Sequence, residues 1–103
     1  MSSSLVALLL ALQLSQAQTG ELRLTVSDGD GLPLAVRVEL TSDATDFREI
    51  RQTGDDGTLV ARRLPFGPYR VAISREGFAP ITEQIVIASE QPLERRIRLC
   101  IPS

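Results

Sequence analysis

Apolar and polar residues alternate with a period of two through most of the chain beyond Gly20. Leu22, Leu24 and Val26 are interleaved with Glu21, Arg23 and Thr25. Val36, Val38 and Leu40 alternate with Arg37, Glu39 and Thr41, and Tyr69, Val71 and Ile73 with Arg70, Ala72 and Ser74. Each triplet predicts a strand with one face in a core and one in water. Ile85-Val86-Ile87 is a continuous β-branched run, which predicts a strand covered on both faces or lying at an inter-sheet edge. Leu93, Ile97 and Leu99, with Arg96 and Arg98 between them, predict a final strand. Two further segments, Phe47–Gln52 and Thr58–Arg63, flank the turn Thr53-Gly54-Asp55-Asp56-Gly57. Other turn clusters are Asp28-Gly29-Asp30-Gly31-Leu32-Pro33, Pro65-Phe66-Gly67-Pro68, Glu76-Gly77-Phe78-Ala79-Pro80 and Ser89-Glu90-Gln91-Pro92. Six or seven strands about 10–13 residues apart, with no helical spacing, predict an all-β fold: a small antiparallel, seven-stranded β-sandwich.

The first seventeen residues follow a different rule. Nothing before Glu21 carries a charge except the amino terminus, and Leu5 to Leu12 is uninterrupted apolar sequence. Eight residues rise about 12 Å as a helix, against roughly 30 Å of hydrocarbon in a bilayer. Followed by Ser15-Gln16-Ala17, this run predicts a secretory signal peptide over residues 1–17, cleaved after Ala17, although no Lys or Arg precedes it. A core helix is the competing reading, and it suffers from being apolar on every side. The expectation is a signal peptide over 1–17 and one β-sandwich domain over 18–103, exported to the periplasm or cell surface, with no membrane span after cleavage.

Composition narrows the chemistry. The chain has 103 residues, with 11 Lys plus Arg against 13 Asp plus Glu, a net charge of −2. All the basic residues are Arg, and no His is present. Without a basic excess, nucleic acid is not an expected partner. Without His, Ser-His-Asp hydrolysis, Cys-His proteolysis and His-ligated zinc are excluded. Cys100 is the single cysteine, so no intramolecular disulfide is available. Asp28-x-Asp30 opens like a calcium loop, but no third ligand or terminal Glu follows in register, so turn chemistry accounts for Asp28, Asp30, Asp55 and Asp56. Arg62, Arg63, Arg95, Arg96 and Arg98 could form an anion-binding face. The plainer expectation is that they pair with Glu39, Glu83 and Glu94 on a solvated surface.

Four segments in order carry a resemblance: Val26-Ser27-Asp28-Gly29-Asp30-Gly31-Leu32-Pro33, Thr53-Gly54-Asp55-Asp56-Gly57-Thr58-Leu59, Leu64-Pro65-Phe66-Gly67-Pro68-Tyr69-Arg70-Val71 and Glu76-Gly77-Phe78. The chain resembles the carboxypeptidase regulatory-like family, which implies a prealbumin-like, Greek-key sandwich. Such modules stand at the N-termini of TonB-dependent outer-membrane receptors, on metallocarboxypeptidases or as repeats in surface proteins, and they do not usually carry the chemistry. No plug or barrel follows Ser103, so a free-standing module or a truncated receptor fragment is expected. The same fold hosts 5-hydroxyisourate hydrolases, but those depend on histidines and a Tyr-Arg-Gly-Ser tail that this sequence lacks.

The resemblance makes Gly54, Asp56, Gly57, Pro65, Gly67, Tyr69, Gly77 and Phe78 a structural signature rather than a catalytic set. Gly67 is expected at a sharp corner feeding a new strand, and the Tyr69 ring in the core with its hydroxyl near the rim. The functional expectation is an exported, non-catalytic interaction module, without cofactor or metal, that contacts another protein through an exposed strand edge. The alternative is a small-molecule or glycan binder using loops at one end of the sandwich, including Phe66 and Phe78.

Overall fold

A computed structural model describes residues 18–102. The expected signal peptide lies outside these residues. Seven strands follow one another: β1 Thr19–Ser27, β2 Arg37–Ser42, β3 Phe47–Gln52, β4 Thr58–Pro65, β5 Gly67–Ser74, β6 Ile81–Ile87 and β7 Leu93–Arg98. They form a three-stranded sheet ordered β4-β1-β7 and a four-stranded sheet ordered β3-β2-β5-β6. Every pairing is antiparallel except β1 with β7, which run parallel over Leu22↔Leu93 to Ser27↔Arg98. Local alternation cannot reveal this, because both ladder types bury every second residue.

The alternation does its expected work in the core. Leu22, Leu24 and Val26 of β1 face Val38 and Leu40 of β2 and Val71 and Ile73 of β5 across the sandwich, all nearly inaccessible. Within the four-stranded sheet, Leu40 sits opposite Val71 and Tyr69 opposite Ile85. Each such side chain contributes roughly 1.5–3 kcal/mol through the apolar surface it removes from water.

Two strands depart from simple alternation. In β4, Arg62 and Arg63 are both exposed, Arg63 has φ 58°, and the β1–β4 register shifts between Gly20 and Leu22. An irregularity here returns Leu64 to the core after two outward residues. In β6, Ile85 and Ile87 are buried while Val86 is 63% exposed. The β-branched run is therefore not covered on both faces; it lies at a sheet edge.

One buried polar residue ties the sandwich at its end. Thr53 Oγ accepts a hydrogen bond from the Val36 amide at 2.8 Å and donates to the Leu34 carbonyl at 3.1 Å. Its own amide donates to the Val36 carbonyl. Segment 34–36, which lies before β2, is thereby clasped to the β3–β4 turn although it has few ladder bonds of its own.

Candidate functional site

The eight signature residues fall at two ends of the sandwich. Arg37 pairs with both Gln52 and Ser74, so the β3–β4 and β5–β6 turns lie at one end, and with them Gly54, Asp56, Gly57, Gly77 and Phe78. Pro65, Gly67 and Tyr69 lie at the other, beside the β2–β3 turn.

At the first end the signature builds a turn. Asp56 Oδ1 accepts hydrogen bonds from the Thr58 amide at 3.0 Å and the Thr58 hydroxyl at 2.8 Å. These bonds favour the ionised form and hold the Asp56 carboxyl below its ordinary value. Gly57 has φ 76°, and a Cβ there would collide with the Val26 carbonyl oxygen. Only glycine lets the turn lie against β1, where the Val26 amide donates to the Gly57 carbonyl at 2.8 Å. Asp28 plays a similar local part, its Oδ1 accepting from the amides of Asp30 and Leu32. Asp28 and Asp56 thus act as turn acceptors. Among the described residues no group of three or more His, Cys, Asp or Glu is placed to hold a metal ion.

At the other end the chain passes from one sheet to the other. Gly67 takes φ 148°, a conformation closed to residues with a Cβ, directly between Phe66 and Pro68. Two residues on, the Tyr69 hydroxyl donates to the Pro65 carbonyl at 2.7 Å, across the corner. Its ring is 2% exposed and meets Phe47 edge to face, 5.6 Å between centroids. Burial pushes the Tyr69 phenol above its ordinary value, and the Thr45 hydroxyl acts in the opposite sense.

Two sequence expectations need correcting. Phe66 and Phe78 bracket β5 and lie at opposite ends of it, so they cannot form one loop site. Both are half-buried and packed on the core. Phe78 also lines an open groove of about 510 Å³, where Arg75 is already engaged with the Ala35 carbonyl at 2.6 Å. The second correction concerns the arginines. Glu39 is held by Arg48 at 3.2 Å and Arg37 at 4.0 Å, while Arg62 pairs with Glu21 at 3.3 Å. Among the described residues Arg63, Arg95, Arg96 and Arg98 form no ion pair, and neither do Glu83 and Glu94. Cross-strand register, invisible in a single sequence, decides which charges meet. Cys100 is exposed, with its carbonyl accepting from the Ala79 amide.

The remaining feature of functional interest is at the sheet edges. Three of the four edge strands carry several charges: β3 has Arg48, Glu49 and Arg51, β4 has Arg62 and Arg63, and β7 has Glu94, Arg95, Arg96 and Arg98. The fourth, β6, has seven residues and one charge, Glu83. The exposed Val86 lies on this strand.

A family model for the carboxypeptidase regulatory-like domain matches residues 21–99. The chain belongs to that family. No curated protein matches its sequence. Among solved structures, the chain is similar to the Bacillus anthracis TIE protein, with TM-score 0.70 and 17% identity over 81% of this chain and 16% of the other. It is similar to the minor pilin of Streptococcus agalactiae, with TM-score 0.69 and 21% identity over 84% of this chain and 46% of the pilin. It also resembles 3-chlorocatechol 1,2-dioxygenase from Rhodococcus opacus 1CP, with TM-score 0.69 and 16% identity over 84% of this chain and 61% of the enzyme. The chain thus spans less than two thirds of each. At these identities the likeness establishes the prealbumin-like sandwich, and one fold serving pilins and a dioxygenase carries no activity by itself.

Proposed function

We propose that this regulatory-like domain is an exported, non-catalytic interaction module that binds another protein, in the service of an outer-membrane receptor or a surface protein. The observation that carries this reading is the contrast in how polar groups are used. Asp28, Asp56, Thr53 and Tyr69, the side chains with the chemistry for a site, are bonded to neighbouring backbone that they hold in place. The uncommitted hydrogen-bonding capacity is the open main chain of an edge strand, which is a means of adding a partner strand. Family membership supports the reading, and the fold shared with a minor pilin makes a surface setting a natural one.

The test is site-specific photocrosslinking of the full chain in its own host, with the photoreactive residue placed in turn at Ile50, Val60, Val86 and Arg96, one on each edge strand. The expected result is a defined adduct with an envelope or surface protein from at least one position. Absence of an adduct from all four would contradict the reading. Export is checked separately by intact mass: the exported protein is expected to begin at Gln18, within two residues, and a retained Met1 would contradict it.

A further inference from the structure

We propose that β6 is the partner-binding edge, and that it takes one extended segment of another polypeptide whose outward-facing residues read apolar, acidic and uncharged polar at alternate positions. This rests on the reading of the domain as an interaction module and adds to it a site and a recognition rule.

The edge is selected by what the other edges carry. Charged side chains along an edge discourage a strand from pairing there, and an irregular backbone does the same. β3 and β7 have the charges, and β4 has charges together with the positive φ of Arg63. β6 is seven residues of Ile-Thr-Glu-Gln-Ile-Val-Ile, long enough for several main-chain bonds, with no residue of positive φ.

Its surroundings also suit strand addition, in which main-chain bonds supply affinity and concavities on alternate sides supply specificity. Val86 lines two of them. One, of about 430 Å³, includes Arg70, Gln84 and Asp43. The other, of about 240 Å³, runs toward the β6–β7 turn and includes Ile87 and Leu93. Side chains of an added strand would be directed alternately toward the two.

Register then sets the chemistry on the outward side. In one row Pro68 pairs with Val86, an apolar surface that fits an apolar residue. In the next row Thr41, Arg70 and Gln84 lie side by side across β2, β5 and β6. Arg70 has no carboxylate partner among the described residues, so a carboxylate beyond Gln84 meets a free guanidinium. Asp43 lines the same concavity from the β2–β3 turn, which disfavours placing the acid in the Pro68 row. The third row is Glu39, Ala72 and Thr82, and Glu39 is already neutralised by Arg48. An uncharged polar residue fits there. Side chains on the opposite face of the added strand approach Ile87 and Leu93 and are apolar.

The test uses the full chain and two synthetic peptides, Thr-Val-Ile-Glu-Val-Thr-Thr and its counterpart with Lys in place of Glu, with binding read by fluorescence anisotropy. The Glu peptide is expected to bind more tightly. Val86→Glu should weaken it by about tenfold or more, and Ile50→Glu, a change at an exposed apolar residue on β3, by less than about twofold. Arg70→Gln should abolish the preference for Glu over Lys. A Glu peptide N-methylated at alternate amides, in both registers, should lose binding in at least one. All three protein variants should keep the parent melting temperature, so lost folding is separable from lost binding. Binding that survives Val86→Glu and disappears in Ile50→Glu would overturn the choice of edge while leaving the interaction module intact. Sedimentation of the full chain as a dimer that Val86→Glu dissociates, with neither peptide taken up, would overturn the choice of occupant in favour of a second copy. No binding of either peptide by a monomeric chain would overturn the recognition rule, whereas failure of the module reading itself is registered by the absence of crosslinks.

Discussion

The Pro65–Tyr69 corner and the β6 edge adjoin each other, Gly67 pairing with Ile87 and Tyr69 with Ile85, yet they use their residues in opposite ways. At the corner every distinctive group is spent internally. Gly67 adopts a backbone that only glycine tolerates, and the Tyr69 hydroxyl is consumed by the Pro65 carbonyl. At β6 nothing is distinctive in type, but one side of the strand is unpaired and Val86 stands in solvent. The difference teaches that the distinctive residues of this corner are used up in shaping the chain, so the proposed binding falls to a strand whose sequence is plain.

The largest effect expected from attacking the comparison is at the corner. Tyr69→Ala should cost about 3–5 kcal/mol in denaturant unfolding, the range for removing a large buried aromatic, and that is a large share of a small domain's margin. A melting temperature unchanged by this substitution, with binding lost, would mean that Tyr69 belongs to an interaction surface. Gly57→Ala ranks next, at about 1–3 kcal/mol, because positive φ and collision with the Val26 carbonyl act together. If it unfolds at the parent denaturant concentration, the turn is not held against β1 as described.

Titration should report on the two ends of the sandwich separately, through Asp56 at one and Tyr69 at the other. The folded Asp56 carboxyl sits below its ordinary value, so its contribution to stability is present above that value, near 3.8, and disappears as pH falls through the lower folded one. In Asp56→Asn the acid limb of the stability curve should flatten below about pH 4. The Tyr69 phenol titrates above its ordinary value near 10, so folding opposes its ionisation and stability falls as pH rises past that value. Tyr69→Phe should remove this alkaline limb. The smallest effect is expected on the surface: Arg96→Ala should change stability by less than about 0.5 kcal/mol.

Much of the fold was legible because burial in a sandwich follows the two-residue pleat. Leu22, Leu24, Val26, Val38, Leu40, Val71 and Ile73 are buried as their alternation predicts. The Asp56 turn was legible as well, since its carboxylate bonds to Thr58 two residues on, whereas the need for glycine at position 57 comes from Val26 on β1. What depends on partners distant in sequence was not. The parallel β1–β7 pair, the bonding of Thr53 to Leu34 and Val36, and the choice of Arg48 for Glu39 all require the register between strands. Placing Phe66 and Phe78 in one site failed for a local reason: the eight residues of β5 lie between them and carry them to opposite ends of one strand. Nor does the sequence show that Ile85-Val86-Ile87 is an edge. A run of β-branched residues looks alike whether both faces are covered or one is left open.

The most direct test of the division between structural signature and binding edge is a paired measurement on two single-residue variants of the full chain. Tyr69→Phe removes the bond to Pro65 and keeps the ring, at an expected cost of about 0.5–1.5 kcal/mol. Val86→Glu alters a side chain already in solvent. Thermal unfolding and anisotropy with the Thr-Val-Ile-Glu-Val-Thr-Thr peptide are recorded on both. The account predicts that Tyr69→Phe lowers the melting temperature and keeps peptide affinity, while Val86→Glu keeps the melting temperature and loses affinity. The reverse pattern, binding lost with Tyr69→Phe and retained with Val86→Glu, would contradict it.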